Sequence, residues 1–235
     1  QRLCRHDLQT GEKVFLTEDF DSNVDDYCWG DNPKEAVIYF IGVWHGTENL
    51  YAVKETSGKE KKSKAAAAGA GWQVVQLTDD WADFGSLQLL TPPTTGKKRS
   101  AKKTMLLMER HSFIAPADLY VVTPGAGKAK TTVERITDEN KHVMDQLDKP
   151  TVQQRWVKTS DGKEMLTWIV LPPKFDETKK YPTLLFCEGG PQSPVSQFWS
   201  YRWNFFIMAS QGYVIVAPNR RGLPGFGQEW LEEIS

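Results

Sequence analysis

The stretch that most constrains the fold is residues 181–230, in which two apolar runs flank a glycine-rich break and a helical segment. The first run, residues 183–187, predicts a strand that is buried on both faces. Aromatic residues near helical spacing follow over about residues 196–211, and Gly212 is placed to end that helix. A second run of the same kind covers residues 213–217. This order is typical of a βαβ unit and predicts a parallel sheet.

Both predicted strands lead into unusual loops, and chemistry in an open parallel sheet sits at the carboxyl ends of the strands. The first loop contains Glu188, Gly189 and Gly190, and the second contains Arg220 and Arg221. We interpret the first as an oxyanion loop, because the corresponding loop of an α/β-hydrolase gives one backbone N–H to the oxyanion hole. Alternatives stay open at both: the glycines also suit a turn with positive φ. The arginines suit either a structural salt bridge or a cation lining the substrate cleft.

These loops carry a family resemblance. EGGPQ followed by VIVAPNRRGLPGFGQEW resembles the start of the catalytic domain of prolyl oligopeptidase-family serine peptidases, in the dipeptidyl peptidase and acylaminoacyl peptidase branch. The resemblance covers residues 151–235 and implies a β-propeller joined to an α/β-hydrolase domain. The family places a Tyr or a His where this chain has Glu188, and a carboxylate cannot donate to an oxyanion. The resemblance therefore implies that Gly189 donates a backbone N–H.

The catalytic groups themselves are not found in these 235 residues. A hydrolase of this fold has Ser, Asp and His in that order, with the Ser in a GxSxG elbow. No GxSxG occurs, and all four histidines precede residue 151. We expect those histidines to pack within the repeats or lie on the surface; they are His6, His45, His111 and His142. No catalytic residue is therefore predicted in this chain. We expect the triad beyond Ser235, so that the chain is a fragment without activity of its own.

The first 148 residues contain repeated β-structure. A Leu/Ile-Thr-acid marker begins at Leu16, Leu77 and Ile136, and a second marker, Leu-Tyr, is phased with it at Leu50 and Leu119. We predict four short strands per repeat, and such repeats at periods of tens of residues are typical of propeller blades. We predict about two blades and part of a third, with the three acid markers at equivalent positions in separate sheets that pack face to face. The alternative is an ordinary β-sandwich with accidental repetition.

Hairpin turns are predicted at residues 45–48 and 113–116, between strand candidates that include residues 37–43 and 104–109. The Lys/Ala-rich tract at residues 59–71 is predicted to be an insertion that projects outward or is disordered, with a binding patch as the alternative.

Composition excludes several classes of protein. The net charge of −1 indicates no nucleic-acid partner, and no apolar run approaches the length of a membrane helix. Three cysteines without a CxxC pattern give no metal site, and no cofactor is indicated. Cys28 and Cys187 lie in apolar runs and are predicted to be buried thiols. We expect a soluble protein of the cytoplasm or periplasm.

The chain divides at a predicted linker, residues 147–150, into 1–148, the last blades of a β-propeller, and 149–235, the N-terminal portion of an α/β-hydrolase. A hairpin over residues 154–171, turning at Asp161-Gly162, opens the hydrolase region. The predicted parent is a serine exopeptidase that releases dipeptides or blocked residues from peptide amino termini. Its partners are a peptide substrate and the remainder of the polypeptide, and a homodimer stays open. The alternatives are an esterase on the same fold and a propeller-based binding protein with a degenerate hydrolase domain.

Overall fold

The computed structural model describes residues 1–31, 36–56, 71–90, 104–125, 130–189 and 193–234. Most of the Lys/Ala-rich tract and Gly190 lie outside these residues, so the predictions made for them stay predictions.

The amino-terminal region consists of three β-repeats. The first repeat is the hairpin β1 (Cys4–His6) and β2 (Lys13–Phe15). The second repeat is an antiparallel meander of β3 (Val24–Trp29), β4 (Val37–Trp44), β5 (Thr47–Glu55) and β6 (Trp72–Gln76). The third repeat is the equivalent meander of β7 (Asp83–Leu90), β8 (Met105–Ser112), β9 (Ala115–Thr123) and β10 (Thr132–Arg135). Four strands in each of these two repeats agree with the prediction.

The predicted marker is the same hydrogen-bonded device in all three repeats. Its Thr hydroxyl accepts the N–H of a leucine on the neighbouring strand, and the residue before that Thr donates its N–H to the carbonyl of the same leucine. The hydroxyls of Thr17, Thr78 and Thr137 accept from Leu3, Leu50 and Leu119 at 3.1, 2.9 and 2.9 Å. The three markers therefore occupy equivalent positions, as predicted. The first repeat's own counterpart of Leu50 is Leu3, which the sequence pattern did not reveal.

The second repeat is covered on both faces by its neighbours. One face packs on the first repeat in a core that includes Leu16, Phe40 and Tyr51. The other face packs on the third repeat through Ile41 and Met108. A sheet between two neighbours has both faces buried, which explains why β4 is apolar at nearly every position instead of alternating.

The second and third repeats are hydrogen-bonded to each other at one point. A single parallel pair, Glu48 with Asp83, joins β5 to β7, so a continuous path of seven strands runs through both repeats and β6 pairs with β5 beside it. This pairing differs from the prediction that the second and third repeats form separate sheets. It is confined to that pair, and the described strands form no closed sheet.

The carboxyl-terminal region is a mixed four-stranded sheet. Its elements are β11 (Thr151–Lys158), β12 (Glu164–Leu171), β13 (Thr183–Leu185), α2 (Phe205–Ser210), β14 (Val214–Pro218) and α3 (Gln228–Glu232); a short helix, α1 (Lys141–Met144), precedes the sheet. The strand order is β11-β12-β14-β13, with β13 parallel to β14 and the other pairs antiparallel. The predicted hairpin and the predicted βαβ unit are both present.

Two details of the βαβ prediction are wrong. The helix spans only Phe205–Ser210, because the side chain of Asn204 accepts the N–H of Ile207 and caps the helix there; Gly212, with φ of 88°, follows its end as predicted. β13 is also not buried on both faces: Leu185 is 62% exposed. It is the edge strand, paired on one side with β14, and no other described strand covers its second side.

The cysteine prediction fails in part for the same reason. Cys187, just past the edge strand β13, is exposed rather than buried. Cys28, on β3, is half-buried against the core shared by the second and third repeats, and burial raises the pKa of its thiol to about 11.

The tips of two β-hairpins join the repeats to the α/β region. Phe113, between β8 and β9, lies in the same core as Trp168 and Phe205 of the four-stranded sheet and α2. Gly46, between β4 and β5, has φ of 71°, and a Cβ there would come within 2.8 Å of the Trp168 indole. The repeats and the α/β region therefore share a core. Within the described residues, no helix is long and apolar enough to cross a bilayer.

Candidate functional site

The loop after β13 contains the predicted oxyanion donor. Gly189 is exposed, its φ lies outside the left-handed region, and a Cβ built on it would meet nothing within 4 Å. Neither backbone strain nor crowding within the described chain therefore requires glycine at this position. Among the described residues, no acceptor is hydrogen-bonded to the Gly189 N–H. The turn interpretation, which needed positive φ, does not hold for Gly189; Gly190 lies outside the described residues.

Arg220 holds this loop by its carbonyl groups. The guanidinium Nε donates to the carbonyl of Glu188 at 3.2 Å, and Nη2 donates to the carbonyl of Gly189 at 3.1 Å. In a trans peptide the carbonyl and the following N–H point in opposite directions. Because the described chain contains no cis peptide, the contact at the Glu188 carbonyl turns the N–H of Gly189 away from Arg220. The side chain thus orients the group that the sequence singled out as the donor.

The other end of the loop is held by the neighbouring residue, Asn219. This fully buried side chain accepts the N–H of Val195 at 2.8 Å and donates to the Val195 carbonyl at 3.0 Å. The indole of Trp168 donates to the same carbonyl at 2.9 Å. Two consecutive residues after β14 therefore fix both ends of the loop after β13.

Arg221 has a different partner set. It forms ion pairs with Asp161 in the β11–β12 turn and with Glu233 just past α3, and its guanidinium lies 5.3 Å from the centre of the Trp230 ring. Hydrogen bonds from Arg221 and Thr159 hold the pKa of Asp161 below its ordinary value. Arg221 therefore forms salt bridges of the kind that the structural interpretation predicted. For Arg220 the structure shows a third arrangement, in which the cation binds carbonyl groups of the candidate oxyanion loop.

A buried carboxylate, Asp83, lies where the repeats meet the α/β region. It accepts the Ser196 hydroxyl at 2.6 Å and the N–H groups of Gln197 and Glu48, both at 3.1 Å. The His111 Nε2 lies 3.8 Å away. The serine donates straight to the carboxylate with no histidine between them, so this cluster lacks the order of a catalytic triad.

Burial raises the pKa of both Asp83 and its neighbour Glu48, and the proximity of the two carboxyls raises that of Glu48 further. The three donors on Asp83 act in the opposite direction, so Glu48 is the carboxyl that holds a proton to higher pH.

The remaining histidines are distributed as follows. His6 and His142 are exposed, in agreement with the expectation. His45 is half-buried where the second repeat meets the α/β region, among the rings of Trp44, Trp156 and Phe226, and this burial lowers its pKa. Among the described residues, no cluster of His, Cys, Asp or Glu has the size of a metal site.

Sequence reasoning missed Asn219, Asp83 and Ser196. Asn219 was visible as the first residue of the loop that contains the two arginines. The contact between Asp83 and Ser196 joins residues 113 positions apart, and no local pattern signals it.

Comparison with known proteins agrees with the resemblance. The sequence model of the Prolyl oligopeptidase family matches residues 199–235. The whole chain is 43% identical to dipeptidyl-peptidase 5 of Porphyromonas gingivalis, of which it spans 30%. Among solved structures, the acylaminoacyl peptidase of Pyrococcus horikoshii is similar over 95% of this chain and 29% of its own, with a TM-score of 0.66 and 21% identity. Dipeptidyl peptidase 4 of P. gingivalis is similar over 98% of this chain and 29% of its own, with a TM-score of 0.63 and 19% identity.

The resemblance to the prolyl oligopeptidase family is thereby confirmed. The chain spans less than a third of the length of that dipeptidyl-peptidase 5.

Proposed function

We propose that this chain belongs to a serine exopeptidase that releases dipeptides from the amino termini of peptides. One observation supports this most directly: the loop after β13 is fixed at both ends by Asn219 and Arg220, while the Gly189 N–H is left open within the described chain. The 43% identity to a dipeptidyl-peptidase favours dipeptides over blocked single residues as products.

In the proposed reaction, a serine supplied by the rest of the polypeptide gives its proton to a histidine as its oxygen attacks the scissile carbonyl carbon. The carbonyl oxygen becomes an oxyanion, to which Gly189 donates its N–H. Expulsion of the amine, which takes its proton from a histidine, leaves an acyl-enzyme that water hydrolyses. The contribution of this chain is electrostatic, since the donor is oriented by Arg220 before any substrate arrives.

We also propose that residues 1–148 are blades of a β-propeller and residues 149–235 the N-terminal portion of an α/β-hydrolase domain. Two four-stranded meanders that pack face to face and repeat the same threonine device support the first assignment. The free edge of β13 supports the second assignment. No described strand pairs with that edge and Leu185 is exposed there, so the sheet has room for further strands from the same polypeptide.

The test is a matched pair of substitutions in the full-length polypeptide, assayed on chromogenic dipeptidyl and acyl-aminoacyl substrates. Gly189→Pro removes the N–H and should lower kcat by roughly 100- to 1,000-fold. Gly189→Ala retains the N–H, and its Cβ would meet no described atom within 4 Å, so it should fold normally and keep far more activity. Equal activity of the two variants would exclude the donor. Absence of turnover by the unaltered polypeptide would exclude the peptidase.

A further inference from the structure

We propose that Asp83, a residue of the third repeat, is a positioning residue for the oxyanion loop. The inference rests on the proposed function, which it extends from the loop itself to the repeats that lie beside it. The observation that supports it is a set of buried hydrogen bonds. Asp83 accepts them from Ser196 and Gln197, which directly follow the loop.

Asp83 is itself fixed in place. It is the first residue of β7 and pairs with Glu48 on one side and with His111 on the other, at the point where the two meanders meet. Its side chain is almost fully buried, with 1% of the residue's surface exposed. A carboxylate held by two strands and excluded from water is a rigid acceptor.

The groups that Asp83 holds follow the loop directly. Ser196 and Gln197 are 4% and 1% exposed, so their donors have no access to water as an alternative partner. Val195, the preceding residue, is held by Asn219. Residues 195–197 therefore form an anchor that is tied to the four-stranded sheet by Asn219 and to the repeats by Asp83.

Removal of the carboxylate would leave buried donors on Ser196, Gln197 and Glu48 without an acceptor. Leaving buried donors unsatisfied is costly, and water or a rearranged chain has to replace the lost acceptor. Residue 195 follows Gly189 by only six positions in the sequence, so we infer that a shifted anchor displaces the donor. Errors of about 1 Å in a positioned group can lower a rate by roughly 100-fold.

The third repeat offers a matched control in Asp118. This side chain is 5% exposed and accepts from Thr137, Arg135 and Glu139, which all belong to the same repeat or directly follow it. Asp118→Ala removes a buried carboxylate that has no contact with the loop. It should therefore reproduce a loss of stability without a loss of positioning.

The experiment compares Asp83→Ala, Asp83→Asn and Asp118→Ala in the full-length polypeptide by kcat, KM and thermal midpoint. Asp83→Ala should lower kcat by roughly 10- to 100-fold with KM nearly unchanged. Asp83→Asn keeps an acceptor for the two N–H groups and should restore most of kcat. Asp118→Ala should lower the thermal midpoint while kcat stays within about twofold of the parent. Equal kcat in Asp83→Ala and Asp118→Ala would overturn the proposal.

Hydrogen exchange of the same variants, measured by mass spectrometry, decides the positional claim even if the polypeptide hydrolyses no peptide. Asp83→Ala should speed exchange of the amides of residues 195–197, and Asp118→Ala should leave them at the parental rate. Unchanged exchange in Asp83→Ala would overturn the positioning role. Faster exchange in a polypeptide without peptidase activity would refute the proposed function and leave the anchor itself standing.

Discussion

Arg220 uses its charged side chain to hold backbone carbonyl groups of the loop after β13. Its guanidinium donates to two carbonyl groups of the loop and to the Arg221 carbonyl, so among the described residues its planar fork binds backbone oxygens instead of a carboxylate. A lysine has a single nitrogen and cannot match this spread of donors. The identity of the side chain therefore follows from the geometry of the loop that it holds.

Glu48 gives a prediction about pH. Burial and the nearby Asp83 raise the pKa of Glu48 to about 8, well above the value in an unfolded chain. The folded state then binds more protons than the unfolded state at intermediate pH, so stability falls as pH rises through this range. Glu48→Gln removes the ionisable group and should be more stable than the parent at pH 8. Its advantage should grow between pH 5 and pH 8, by at most about 1.4 kcal/mol per pH unit.

Urea denaturation at several pH values measures this advantage. Glu134→Gln, at an exposed position on β10, is the control and should follow the parent. Parallel curves for Glu48→Gln and the parent would contradict the raised pKa.

The three repeats share a hydrogen bond between a threonine hydroxyl and the backbone of a leucine. The hydroxyl of each marker threonine accepts the N–H of a leucine at the same place in its repeat. This bond fixes the path of the chain where the last strand of the repeat ends. In the second and third repeats, a side-chain oxygen of Asn49 or Asp118 also accepts from the same hydroxyl. The residue before each of these leucines is therefore part of the same hydrogen-bonded device.

Thr78→Val tests the device, because valine has nearly the same shape without the hydroxyl. Leu50 is fully buried, so its N–H would be left without a partner, and we expect a loss of about 1–3 kcal/mol in the free energy of unfolding. Thr137→Val should cost less, since Leu119 is only half-buried. The exposed Thr132→Val is the control. Equal unfolding energies for the three variants would show that the hydroxyl does not specify the repeat.

Local features were predictable from sequence, and long-range ones were not. The Thr markers, the Asp161-Gly162 hairpin and the Gly212 helix end are written in adjacent residues. The exposure of β13 depends on its place at the edge of the sheet, which an apolar run does not reveal. The loop partners of Arg220 and the Ser196 partner of Asp83 lie 31 or more residues away in sequence. Sequence reasoning therefore singled out the loop after β13 but not the residues that hold it.

Direct contacts hold the repeats against the α/β region. Phe113 enters the core of the four-stranded sheet, the N–H of His45 donates to the Gly225 carbonyl at 2.9 Å, and Gln228 donates its N–H to Asp21 at 3.1 Å. The GFGQ segment, which carries part of the family resemblance, thus lies against Val43 of the second repeat and Asp21, just before that repeat. Such a shared core is how a repeat residue such as Asp83 can influence the loop.

The 235 residues on their own should have no peptidase activity, because an oxyanion donor cannot replace a nucleophile and a base. In enzymes stripped of their triad, the oxyanion hole and substrate binding still accelerate hydrolysis by roughly 10³- to 10⁴-fold over water. That residual rate needs a complete cleft, whereas here no described strand covers the edge of β13 and Leu185 is 62% exposed. Incubation of the purified chain with dipeptidyl and acyl-aminoacyl chromogenic substrates should give no turnover. The full-length polypeptide is the positive control, and labelling of the isolated chain by a fluorophosphonate would reveal an activated serine and refute the expectation.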